Sequence, residues 1–126
     1  MTHTIITAAD APAPIGPYSQ ATIINGTMYV SGQIALDAKS GELVNSDIEE
    51  ETHKVMTNLG AILQEAGMGF DNVLKCTIFV KDLNNFGRIN EVYGSYFKSN
   101  PPARETVEVS RLPKDVNVEI SCIAAL

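Results

Sequence analysis

Four residues carry most of the chemical potential of this chain. Arg104 follows Pro101-Pro102-Ala103 and opens an alternating segment. A guanidinium behind a stiff Pro-Pro lead-in offers two parallel donors, the geometry that clamps a carboxylate. Glu119 sits between Val118 and Ile120, on the polar side of the last alternating run with Asn117 and Ser121. Facing a cleft near Arg104, such a carboxylate positions or deprotonates water. Asn90 shares a stripe with Phe86, Tyr93 and Phe97 at spacings of 4, 3 and 4, so it reads as a buried amide in need of partners. Tyr18 closes the segment Ala11-Pro12-Ala13-Pro14-Ile15-Gly16-Pro17, where ring and hydroxyl can shut a pocket. Each residue also has a plainer reading: a surface arginine, an ordinary strand glutamate, a structural amide, a core-facing loop anchor. Together they suggest a site for a small, planar anion, with one arginine for charge and one glutamate for water.

Other chemistries find little support. No P-loop and no G-x-S-x-G elbow occur, and Gly67-Met68-Gly69 reads as a helix stop rather than part of a dinucleotide fingerprint. The two histidines, His3 and His53, lie in a terminal segment and off the apolar stripe of a helix, so they read as solvated and no metal site is expected. Cys76 and Cys122 alternate with Leu74, Ile78, Ile120 and Ala124, which marks them as small core residues, reduced in a cytoplasmic chain. No signal peptide or membrane-spanning run is apparent. Nine Lys+Arg against 15 Asp+Glu give a net charge of -6. Nucleic-acid affinity comes mostly from cationic side chains releasing counterions, so a nucleic-acid partner is disfavoured.

The elements that must position these residues follow from pattern. At 126 residues the chain is a single domain, 1–126. Ala21–Ile24 and Thr27–Ser31 flank Asn25-Gly26, a hairpin signal because a type I′ turn needs positive φ at both central residues. Ser40-Gly41 marks a second turn. Ser46 with Glu49 reads as a helix start, and Ile48, Val55, Met56, Leu59, Ile62, Leu63 and Ala66 mark one buried face that ends at Gly67. Residues 73–81 alternate, with Leu74, Cys76, Ile78 and Val80 on one side. A second helix is expected over 83–98, with Phe86, Ile89, Tyr93, Tyr96 and Phe97 inward, and strands over 104–110 and 116–124 form a final hairpin. The sum is an α+β domain, a mixed or antiparallel sheet with two helices on one face. Several positions on the other face (Val73, Phe79, Ile123) are apolar too, so self-association is expected to cover it.

Ile15-Gly16-Pro17-Tyr18-Ser19-Gln20, Ser31-Gly32-Gln33-Ile34, Phe79-Val80-Lys81-Asp82-Leu83, Pro102-Ala103-Arg104, and Arg111-Leu112-Pro113-Lys114-Asp115-Val116 with Glu119-Ile120 resemble the RidA (YjgF) family of reactive intermediate deaminases. The likeness runs from about Ile6 to Ala124. It implies a chorismate-mutase-like fold with a mixed six-stranded sheet, and a homotrimer with sites between subunits. It implies hydrolysis of 2-imino acids and their enamine tautomers, such as 2-iminobutanoate and 2-iminopropanoate, to 2-keto acids and ammonia, with no cofactor or metal. Arg104 would then bind the substrate carboxylate and Glu119 orient water. Tyr18, Ser31 and Asn90 would shape the pocket, and Gly32 would let backbone approach the ligand. The family has also carried a ribonuclease or translation-inhibitor label, and a regulatory module that senses small carboxylates is a third reading. Two positions depart from the family pattern, Glu105 and Thr106, where a small residue and a cysteine are usual. By alternation Glu105 points away from Arg104, while Thr106 shares its face and brings a hydroxyl in place of the thiol.

Overall fold

The fold is described from a computed structural model covering residues 2–126. Strands Thr4–Ile6 (β1), Ala21–Ile24 (β2), Thr27–Gln33 (β3), Val73–Val80 (β4), Ala103–Glu108 (β5) and Val118–Ala125 (β6) form one sheet in the order β1-β2-β3-β6-β4-β5. Only β4 and β5 run parallel. Helices Ile48–Glu65 (α1) and Phe86–Gly94 (α2) complete the α+β domain. The β2–β3 hairpin turns on Asn25 at φ 51 and Gly26 at φ 77, the two left-handed residues that a type I′ turn requires.

α1 packs Val55, Met56, Leu59, Ile62 and Leu63 against the sheet, each buried, and burial of such side chains stabilises by roughly 1.5–3 kcal/mol apiece. Its start differs from expectation by one residue. Asp47, not Ser46, is the N-cap and accepts a 2.7 Å bond from the Glu50 amide, because Ser46 spends its hydroxyl on the Glu50 carboxylate. Its end is as expected: Gly67 at φ 73 donates to the Gln64 carbonyl and Met68 to that of Leu63, a Schellman closure.

Three further expectations are corrected, and one strand was not expected. The last two strands do not form a hairpin: β6 lies between β3 and β4, and β5 goes to the sheet edge. Burial explains the placement, since Val118, Ile120, Cys122 and Ala124 of β6 are all buried while β5 is mostly exposed. The second helix is shorter. Leu83–Asn85 is a 3-10 turn started by Asp82, α2 stops at Gly94, and Tyr96 and Phe97 continue the aromatic cluster beyond it through Phe70 and Tyr93. A register shift between Val73 and Lys75 breaks the alternation at the start of β4, burying Val73 and leaving Leu74 56% exposed. Finally, β1 was not legible as a strand, because three residues are too few for a period.

Both helices cover the same sheet face. The opposite face carries Tyr29 and Val107 exposed and Phe79 and Ile123 half-buried. No helix among the described residues is long and apolar enough to cross a membrane.

One buried charge ties the layers together. Glu51, fully buried in the first turn of α1, accepts 2.8 Å bonds from the backbone N–H and the side-chain Nδ2 of Asn117, at the entrance to β6. The helix N-terminus favours its negative charge. Glu51→Ala strands both donors, so it is expected to destabilise the fold by about 1–3 kcal/mol, read as a lower denaturant midpoint. Glu51→Gln keeps one acceptor and is expected to fall between the two. Equal midpoints for all three chains would contradict this role.

Candidate functional site

Arg104 sits at the second position of β5 and pairs in register with Cys76 of β4. Register partners share a sheet face, so Arg104 and Thr106 lie on the helix side of this edge strand, with buried Cys76 and Ile78. There the guanidinium lies 5.4 Å from the centre of the Phe86 ring and 5.1 Å from that of Tyr93, both on α2. Its Nη1 donates a 2.6 Å bond to Oδ1 of Asn90. Two aromatic faces and an amide thus hold the cation flat. Among the described residues it forms no ion pair, so most of its donor fork is free for an anion.

Asn90 is exposed, not buried as its stripe suggested. It lies at the solvent rim of that stripe, where it reaches Arg104. Thr106 is half-buried, and its hydroxyl oxygen is buried without a partner, as is the hydroxyl of Tyr93. Glu105 faces the other side of the sheet, as alternation predicts, where it pairs with Lys75 at 3.2 Å and accepts from the Thr77 hydroxyl.

Glu119 pairs with Phe79 of β4 and therefore lies on the open sheet face, opposite to Arg104. It packs directly over Gly32. A Cβ at position 32 would sit 2.7 Å from Glu119 Oε2 and 2.9 Å from its carboxyl carbon. The missing side chain at Gly32 makes room for the Glu119 carboxylate. Burial pushes the Glu119 carboxyl above the ordinary glutamate value.

Ser31 and Tyr18 join this second cluster. The Ser31 hydroxyl donates 2.6 Å to the Ser19 carbonyl, binding β3 to the Pro/Gly loop. Tyr18 is 53% exposed, so it is not a core anchor. Its hydroxyl accepts from the Ile15 amide at 3.2 Å, and its ring lines a cleft of about 290 Å³ together with Gly32. The loop is fixed by Gln20, buried, whose Nε2 donates to the carbonyls of Ala8, Ala11 and Pro12 and whose Oε1 accepts from the Ala8 amide. Asn58, buried on α1, donates to the carbonyls of Ile34 and Leu36 just beyond Gly32.

The candidate residues thus fall into two separate groups. One is Arg104, Asn90 and Thr106 with Phe86 and Tyr93 on the helix side of the edge strand. The other is Glu119, Gly32, Ser31 and Tyr18 on the open side. Phe86, Tyr93, Gln20, Glu51 and Asn58 were not read as parts of a site. The cysteines remain core residues: burial raises both thiols, Cys122 to about 12, which suppresses thiolate chemistry. No cluster of three potential metal ligands occurs among the described residues.

Comparison with known proteins bears on this arrangement. Residues 8–126 match the family model described as Endoribonuclease L-PSP. A RutC family protein of Synechocystis is 52% identical over 128 residues, covering 100% of this chain and 98% of its own. The human 2-iminobutanoate/2-iminopropanoate deaminase is 47% identical over 120 residues, covering 95% of this chain and 88% of its own. A crystal structure of Escherichia coli TdcF with bound serine superposes with a TM-score of 0.94 at 38% identity, covering 98% of each chain. Matched along nearly its whole length in both sequence and fold, the chain belongs to the RidA (YjgF, L-PSP) family.

Proposed function

We propose that this protein is a hydrolytic deaminase that converts 2-imino acids and their enamine tautomers, 2-iminobutanoate and 2-iminopropanoate among them, to 2-keto acids and ammonia. The observation that carries the proposal is the state of Arg104: an arginine held by two rings and an amide, with no carboxylate of its own. A 2-imino acid supplies that carboxylate, with an electrophilic C=N bond beside it. Clamping the first places the second, and placement alone is worth several kcal/mol.

Water then adds to C2. Glu119 accepts a proton from the water as the C–O bond forms on the iminium carbon and returns it to the carbinolamine nitrogen. The C2–N bond then breaks, the hydroxyl O–H electron pair forms the C=O bond, and its proton passes through Glu119 to the departing ammonia, leaving the keto acid and ammonium. The iminium carbon is already activated, so the scheme calls for no protein nucleophile, cofactor or metal.

Within one chain Arg104 and Glu119 lie on opposite sheet faces. The proposal therefore places the working site between copies, with Arg104, Asn90 and Thr106 from one and Glu119, Gly32, Ser31 and Tyr18 from its neighbour. A homotrimer closing through the open, partly apolar face accounts for this split and for the exposed Tyr29 and Val107. The family's ribonuclease label fits the charge poorly, since a chain of net charge -6 repels a phosphate backbone.

The test is to generate 2-iminobutanoate with a threonine dehydratase and follow 2-oxobutanoate release. Faster release with the protein supports the reading; a rate equal to the uncatalysed one overturns it. Gly32→Ala offers a finer check. The added methyl displaces the Glu119 carboxylate, which can swing away without moving backbone. Activity is expected to fall at least about tenfold, as a misplaced base requires, while the melting temperature stays near that of the parent chain.

A further inference from the structure

We infer that the cleft beneath Ile15 and Tyr18 receives the side chain of the substrate and tunes this protein toward branched aliphatic 2-imino acids over the shortest ones. The inference rests on the deaminase reading and narrows it. The cleft holds about 290 Å³ and is walled by Pro12, Ala13, Ile15, Ile34, Leu36 and Pro113, with Gly32 on its floor. Glu119 lies directly against that glycine. For Glu119 to deliver water, C2 of the substrate must sit beside it, and the side chain on C2 must then enter the space that Gly32 adjoins. That space is mostly apolar. Of the two amides that line it, Gln20 has its donors and its carbonyl committed to loop backbone, and Gln33 donates to the Ser31 carbonyl.

The walls are also rigid. Pro12, Pro14 and Pro17 and the four Gln20 bonds fix the loop, the Tyr18 hydroxyl holds the Ile15 amide, and Asn58 pins the carbonyls of Ile34 and Leu36. A preformed apolar cleft rewards each added methylene, by roughly fourfold in binding, without a cost of closing over the ligand. Lys114 stands at the rim, exposed, on a left-handed turn with φ 54. It is the one feature that would favour an acidic side chain instead.

The experiment uses imines released by an L-amino-acid oxidase from alanine, 2-aminobutyrate, leucine and aspartate. It is paired with calorimetric binding of pyruvate, 2-oxobutanoate and 4-methyl-2-oxopentanoate. Expected are a kcat/KM and an affinity that both climb from alanine to leucine chemistry by tenfold or more. Ala13→Phe, at an exposed loop position, is expected to fold normally and to cut the leucine-to-alanine ratio about tenfold. Ile34→Ala should shift the preference toward larger side chains. A flat or falling series with active protein overturns the pocket alone, and so does preference for the aspartate-derived imine, which would assign the cleft to Lys114. Keto-acid affinities that climb while no imine is hydrolysed would uphold the pocket and overturn the deaminase reading.

Discussion

Replacing Arg104 with alanine is expected to lower kcat/KM for 2-iminobutanoate at least about a hundredfold. Each hydrogen bond to a charged group is worth about 1.5–3 kcal/mol, and a bidentate clamp loses both bonds at once. The effect should fall on function rather than on folding. Arg104 is exposed and, among the described residues, makes a single side-chain bond, to Asn90, so the melting temperature should move little. Arg104→Lys keeps the charge but loses the planar fork that lies against Phe86 and Tyr93. It should recover only a small part of the loss. Full activity in the lysine chain would show that charge without geometry suffices. Parent-like activity in the alanine chain would remove Arg104 from the mechanism.

Glu119→Gln is expected to lower kcat by about 10²–10⁴, the range for loss of a general base, with a smaller change in KM. The pH profile separates a base from a merely structural residue. The base works as a carboxylate, so activity should decline as pH falls through its pKa. Burial raises that pKa above the ordinary 4.5, placing the acid limb higher than an exposed glutamate would. Stability runs the other way. A folded pKa above the unfolded one favours the folded state at low pH, and that advantage is lost as pH rises through the folded value. Near neutrality the ionised carboxylate is a cost to the fold, which glutamine removes. Glu119→Gln should therefore melt higher than the parent at neutral pH while being far less active. A lower melting temperature with an unchanged pH profile would mark Glu119 as structural.

The parts of this molecule that could be read from its sequence are those governed by local chemistry. Asn25-Gly26, the α1 stripe and the stop at Gly67 each follow from backbone preferences within a few residues. Arg104 and Glu119 each also had a plain reading as a surface arginine and a strand glutamate, and the family likeness is what singled them out as candidates. What pattern could not give was long-range order. Nothing local says that β6 inserts between β3 and β4, since hairpin spacing and a crossover look alike until burial is known. Alternation placed Arg104 and Thr106 together but could not relate their face to that of Glu119, which depends on pairing through β4. Glu51 shows a signal passed over. It lies one turn from Val55 on the buried side of α1, within a run of three glutamates in the first turn, where the helix dipole favours anions and burial is not needed to explain them. Its partner Asn117 is 66 residues away, beyond any periodicity.

The central claim is that catalysis joins half-sites from two copies, and one measurement addresses it directly. Arg104→Ala and Glu119→Gln chains, each nearly inactive, are co-expressed with different tags, and the mixed assemblies are isolated and assayed. In every cyclic trimer that contains both chains, one site in three pairs an intact Arg104 with a neighbour's intact Glu119. About a third of parent activity should therefore return. Mixed assemblies that stay as inactive as either variant alone would contradict the account, and would place both residues of each working site in one chain or outside the reaction.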